Sequence, residues 1–224
     1  MKLKKNLFIA TLLLVVVACK AETKDGVAFL KSLNGTYVEL FSTNTCLNPT
    51  LSPLWHCEAA KYVGEKKADA AVQQLVNGCT GIITGKEAIE VYSNAKSFKF
   101  CCSFLQGIEK FIFKGNRISG VDKQGKKLFS HKYNFVEMDN DGNYIFESND
   151  KNNDEFRFFW MRPDSPSETH HIEFRYGNDK EQLKQLMTGK YAFWMASAVR
   201  EGHEEEHIHS ILLFIEENLG AKEK

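Results

Sequence analysis

KLFSHKYNFVEMDNDGNYIFESNDKNNDEFRFFWMR, residues 127–162, holds three apolar, aromatic-rich runs separated by two clusters of Asn, Asp and Gly. The runs KLFSHKYNFVE (127–137), NYIFESN (143–149) and EFRFFWMR (155–162) have strand composition. Between them, DNDGN and NDKNND carry the residues of tight hairpins: Asn and Asp bond to nearby backbone, and Gly accepts a left-handed conformation. Within EMDNDGN (137–143), Asp139, Asp141 and Gly142 sit at offsets like those of a calcium loop. The closing Glu and the flanking helices of such a loop are missing, so the segment is read as a turn.

Working outward, the same punctuation continues in both directions. GTYVELFS (35–42), AIEVYS (88–93), SFKFCCSF (97–104), KFIFKG (110–115) and RISGVD (117–122) precede the stretch, and HIEFRYG (171–177) follows it. Eight or more strands at this spacing predict an up-and-down barrel or a closely related antiparallel sheet. Helical spacing enters at EKKADAAVQQLVNG (65–78), where Ala68, Ala71, Val72, Leu75 and Val76 recur on one face and Gly78 suits a stop. NDKEQLKQLM (178–187) reads as a helix capped by Asn178 or Asp179. A last helix over EGHEEEHIHSILLFIEENLG (201–220) puts Ile208, Ile211, Leu212 and Ile215 together.

The N-terminus predicts a compartment. Lys2, Lys4 and Lys5, then an apolar run from Leu7 to Val17, then a small residue before Cys19, form the three-part layout of a secretory signal peptide. VVAC resembles the lipobox of bacterial lipoproteins, which implies a signal peptide over 1–18, a lipidated Cys19 as membrane anchor and a polar tether over 19–30. Lys20 in the second mature position favours the outer membrane where a cell has one, so the expected location is the cell envelope, facing the periplasm or exterior. One domain then spans 31–224. The 29 basic and 29 acidic residues balance in the full chain. Removal of the leader leaves a mildly acidic protein, with no basic excess to suggest nucleic acid as a partner.

Beyond Cys19 the thiols are Cys46, Cys57, Cys79, Cys101 and Cys102, an odd set in a compartment that permits disulfides. Cys46 and Cys57 flank LNPTLSPLWH and are a candidate disulfide. Adjacent Cys101 and Cys102 on a strand point to opposite faces and are not expected to pair with each other.

Several segments resemble the ZinT (formerly YodA) family of periplasmic zinc-binding proteins. LNGTYVEL (33–40) is similar to that family's opening strand, with Gly35-Thr36-Tyr37 where Gly-x-Trp occurs. LSPLWHCEAAKYVGEKKADAAVQQLVNG (51–78) is similar to its helical insertion, and HIEFRYGNDKEQLKQLMTGKYAFWMASA (171–198) follows its order of strand, turn, helix and aromatic segment. The resemblance implies a mainly β, lipocalin-like antiparallel barrel with a helical insertion and C-terminal helices. It also implies zinc held by His-x8-His-x-His, which falls on Arg162, His171 and Glu173 in this chain.

Glu173 can ligate through a carboxylate oxygen, and residues i and i+2 share a strand face. Arg162 carries only donors and cannot ligate. Two readings therefore stand: a degenerate metal site at His171 and Glu173 with a third group (His170, His131 or an acid of the tether), or an Arg162–Glu173 ion pair at a strand end. His170 and His171 face opposite ways on a strand, so only a bulge lets both bind one ion.

HEEEHIH (203–209) contains the H-E-x-x-H pattern of zinc proteases, but Glu205 and Glu206 are ill suited to burial beside a catalytic metal. His203, His207 and His209 among four carboxylates read instead as a weak, exposed metal-capture segment or a solvated helix face. No Ser/His/Asp array or phosphate-cradling loop is present, so binding rather than catalysis is expected. The first expectation is an extracytoplasmic lipoprotein that binds zinc or a similar divalent ion and passes it to a metal-uptake transporter. The other is a metal-free barrel that binds a small apolar ligand or a protein partner.

Overall fold

Hairpins predicted from the Asn/Asp/Gly clusters form in register and carry the chain around a closed wall. The computed structural model describes residues 25–42, 45–80, 101–150, 153–163 and 171–220. The leader, Cys19, His170, AIEVYS and the first half of SFKFCCSF lie outside those residues. Strands β2 (Lys110–Lys114), β3 (Arg117–Val121), β4 (Lys127–Met138), β5 (Tyr144–Ser148) and β6 (Phe158–Met161) pair antiparallel in chain order. β7 (Ile172–Gly177) and β8 (Ala196–Arg200) follow, and β1 (Gly35–Glu39) pairs with both β2 and β8 to close the barrel.

The EMDNDGN segment is a turn, as read. Asp139 accepts from the Asp141 and Asn143 N–H groups at 3.0 and 2.9 Å and from the Trp160 indole at 2.7 Å. Gly142 takes φ +86° there, which a β-carbon would strain.

Alternation sends two sets of side chains to two different cores. Facing inward, Phe111, Phe113, Phe129, Tyr133, Phe159, Phe174 and Tyr176 are buried together with Met161. Phe111 is their hub, with ring centroids 4.9 Å from Phe104, 5.0 Å from Phe174 and 5.3 Å from Tyr176. Inward-facing side chains among the described residues pack on one another, ring against ring.

Facing outward, Val38, Leu40 and Val199 meet a layer of helices. These are α2 (Ser52–Val63), α3 (Ala68–Cys79) and α5 (Glu204–Leu219), with α4 (Lys180–Leu183) packed elsewhere against β6 and β7. Trp55, Ala59, Ala68, Val76, Ile211 and Ile215 form their buried side. A proline in the first turn starts α2, and Gly64 at φ +80° ends it. This second core builds the cavity described below, because it presses helix ends onto the β7–β8 wall.

Three expectations are corrected. Residues 25–32 are helical (α1), not tether. Phe29 packs 5.2 Å from Tyr144, and Leu30 and Leu33 are buried, so the apolar positions of VAFLKSL belong to the core. The Cys46–Cys57 disulfide is absent: Cys46 is buried in the outer core and Cys57 is exposed on α2, both as thiols. The loop between them is held instead by the Trp55 indole N–H, which donates to the Cys46 carbonyl at 3.0 Å. The helix predicted over 178–187 ends at Leu183. Asp179 caps it as read, accepting from the Glu181 and Gln182 N–H groups, but the Leu183 carbonyl turns to accept from the buried Arg175 guanidinium.

Candidate functional site on the outer wall

β7 pairs with β6 so that Phe174 lies opposite Met161, both facing inward. The next pair outward, Glu173 and Arg162, therefore faces the helical layer, and His171 follows Glu173 on that face. On the other side, Glu173 lies opposite Ser197 of β8. The end of α3 adds Cys79, the segment that leads to β2 adds Cys102, and α5 adds Leu213, Phe214 and Glu217. Together with Leu40 and Phe41 these residues line a cavity of about 480 Å³.

Its polar wall is one network. Arg162 Nη1 donates to Glu173 Oε2 at 2.6 Å, and His171 Nε2 lies 3.8 Å from Glu173 Oε1. Burial by itself would raise the Glu173 carboxyl, but the neighbouring His171 and the Arg162 charge outweigh it and hold the group below its usual range. A carboxyl lowered on folding adds stability that is complete above its ordinary value of 4.5 and is lost as pH falls through the lower folded value. Glu173→Gln should therefore flatten the acid limb of the stability profile between about pH 5 and pH 3, read as urea midpoints. An unchanged limb would show that the carboxylate is not held by these partners.

The structure sorts the histidine readings. His171 and Glu173 converge as expected from i and i+2, and the Arg162–Glu173 pair of the competing reading is also present. His131 is elsewhere: it faces into β4, with Nδ1 2.6 Å from Asp150 and Nε2 3.3 Å from Asp154. It shares the inward face of β4 with Phe129 and Tyr133, opposite to the outer cavity. His203, His207 and His209 do not form one exposed ligand group. His207 is buried with Nε2 2.5 Å from the Arg200 carbonyl, His203 sits 3.5 Å from Glu206, and His209 is on the exposed side. The 3.6-residue period of α5 turns His207 into the barrel wall and away from His209. Among the described residues, no three His, Cys, Asp or Glu side chains meet in metal-ligand geometry.

Cys79, Cys102 and Arg175 are the residues that sequence reasoning missed. The opposite facing of Cys101 and Cys102 was legible: Cys101 is buried in the barrel core and Cys102 lines the outer cavity. That Cys79 would meet Cys102 there depends on how the end of α3 docks, and no local pattern carries that. Arg175, in an outward position of β7, has the pattern of a solvent-facing residue yet is 1 % exposed.

No family model and no curated protein matches the chain. Solved structures do. Zn(II)-bound AdcA from Streptococcus pneumoniae aligns over 82% of this chain at 14% identity with a TM-score of 0.47, and the chain spans 35% of that protein's length. The Zn(II)-bound ZinT-like domain of Streptococcus pneumoniae AdcA aligns over 82% of this chain and 89% of that one, at 13% identity and a TM-score of 0.50. An eight-stranded antiparallel barrel closed by β1 and β8 and carrying helices, aligned over most of both chains, gives this chain a ZinT-like fold.

Proposed function

We propose that this protein binds a divalent cation of the zinc class at the outer-wall cavity, outside the cytoplasm. The observation that carries the reading is the convergence of His171 Nε2 and Glu173 Oε1 at 3.8 Å, which needs to close by only about 0.5 Å for both to ligate one tetrahedral ion. An imidazole and a carboxylate fit zinc, and the thiols of Cys79 and Cys102 in the same cavity are of a donor type that zinc also takes. Arg162 opposes it, since it occupies the second oxygen of Glu173. Its side chain is 42% exposed and can swing to solvent when a cation displaces it.

With the lipoprotein leader and Cys19 anchor expected from the sequence, the working role is capture of the ion at the cell envelope and delivery to an uptake transporter. Affinity should fall with pH as the imidazole protonates.

Zinc titration by calorimetry on the chain from Lys20 onward tests the reading. His171→Ala with Glu173→Ala should abolish tight binding. Arg162→Ala should tighten it by about tenfold, because it frees a carboxylate oxygen and removes a competing charge. Replacing the exposed His203 and His209 should leave the tight site in place. If Arg162→Ala changes nothing and wild type binds no zinc, the ion pair at 2.6 Å is the finished structure. The cavity, with Leu40, Phe41, Leu213 and Phe214 on its apolar side, would then take a small apolar ligand or a partner's side chain instead.

A further inference from the structure

Two thiols far apart in the chain are paired across a short antiparallel contact. Thr80 bridges Cys101 in antiparallel sense, which sets Cys79 directly opposite Cys102. The Cys102 N–H donates to the Cys79 carbonyl at 2.8 Å. A direct backbone bond this short holds their Cα atoms within roughly 7 Å, the reach of a disulfide. Both residues also line the same wall of the outer cavity. Both are partly accessible, so an oxidant can reach them. Cys57 lies exposed on α2, and Cys101 faces the barrel core. Cys46, buried in the outer core, is the competing neighbour of Cys79.

We propose that Cys79 and Cys102 form a redox-active pair that closes to a disulfide by exchange with a small-molecule or protein disulfide. The Cys79 thiolate attacks one sulfur of the oxidant, forming a mixed disulfide and releasing the first oxidant thiolate. Cys102 then loses its proton to water, and its thiolate attacks the Cys79 sulfur and expels the second oxidant thiolate. Two protein thiols are oxidised, one external disulfide is reduced to two thiols, and the electrons balance.

The bond ties the end of α3 to the segment that runs along β8. It also changes what the cavity offers: reduced, two sulfur donors stand beside His171 and Glu173; oxidised, none does. The proposal rests on the backbone pairing of the two cysteines at one cavity wall and is independent of the zinc reading.

The test treats the full soluble chain with oxidised glutathione, blocks remaining thiols with iodoacetamide and maps the peptides by mass spectrometry. The expected result is a Cys79–Cys102 linked peptide, two hydrogens lighter than the reduced pair, with Cys57 alkylated. Adding dithiothreitol should lower Tm of the oxidised wild type by roughly 6–12 °C and leave Cys79→Ser with Cys102→Ser unmoved. Alkylation of both cysteines after oxidation, or a Cys46–Cys79 link in their place, would overturn the proposal. So would a stable mixed disulfide with glutathione at Cys79 that Cys102 never resolves. Peptide mapping of wild type decides the matter even if the double variant folds poorly.

Discussion

Phe111→Ala should lower the unfolding free energy by about 3–5 kcal/mol. The ring is fully buried and lies within aromatic contact of Phe104, Phe129, Phe159, Phe174 and Tyr176. Truncation removes its transfer free energy and leaves a void. The neighbouring rings come from β4, β6, β7 and the segment before β2, and elements so held apart cannot collapse into it together. Phe111→Leu, which keeps most of the volume, should cost less than half as much. Urea unfolding followed by tryptophan fluorescence measures both, with the change expected in midpoint and not in slope. A loss below about 1 kcal/mol for the alanine variant would mean that the barrel centre yields or is already hollow, and would return an interior ligand to consideration.

Arg175→Ala should cost about 2–4 kcal/mol through a different mechanism. Arg175 faces out of β7 but is covered by the 183–191 segment, and its two terminal nitrogens donate to the Leu183 and Tyr191 carbonyls. Desolvation pushes its pKa down to about 10, so the charge itself is poorly housed. It persists because a planar fork satisfies two carbonyls that would otherwise be buried without donors. Alanine leaves both unpaired, while relief of the desolvated charge offsets part of the loss. Arg175→Lys should recover little, since an ammonium cannot reproduce the fork. If the lysine variant matched wild type in denaturant midpoint, charge rather than geometry would be holding the segment.

Arg175 shows where reading the sequence stopped. NDKEQLKQLM has the cap and the composition of a helix, and Asp179 does cap it. The helix ends after one turn because a side chain eight residues upstream takes the Leu183 carbonyl, a competition that no local pattern records. His207 makes the same point. HEEEHIH looked like an exposed donor cluster, but docking of α5 on the barrel buried one histidine against the Arg200 carbonyl and separated it from the others. β8 was missed as a strand: ASAVR is short, and its small residues, Ala196 and Ala198 at 0 % exposure, are chosen by the crowded rings they face and not by strand propensity.

The sequence by itself determined the barrel. Apolar runs of strand length broken by Asn, Asp and Gly leave antiparallel hairpins as the economical arrangement, and period-two alternation settles which residues fill the interior. It also determined that Glu173 shares a face with His171, because that follows from strand geometry alone. Only the tertiary structure decided what stands around that pair. Arg162 came beside Glu173 through the β6–β7 register, and Cys79 met Cys102 through the docking of α3. These contacts join residues distant in the chain, and their positions depend on how two cores pack against opposite sides of one wall.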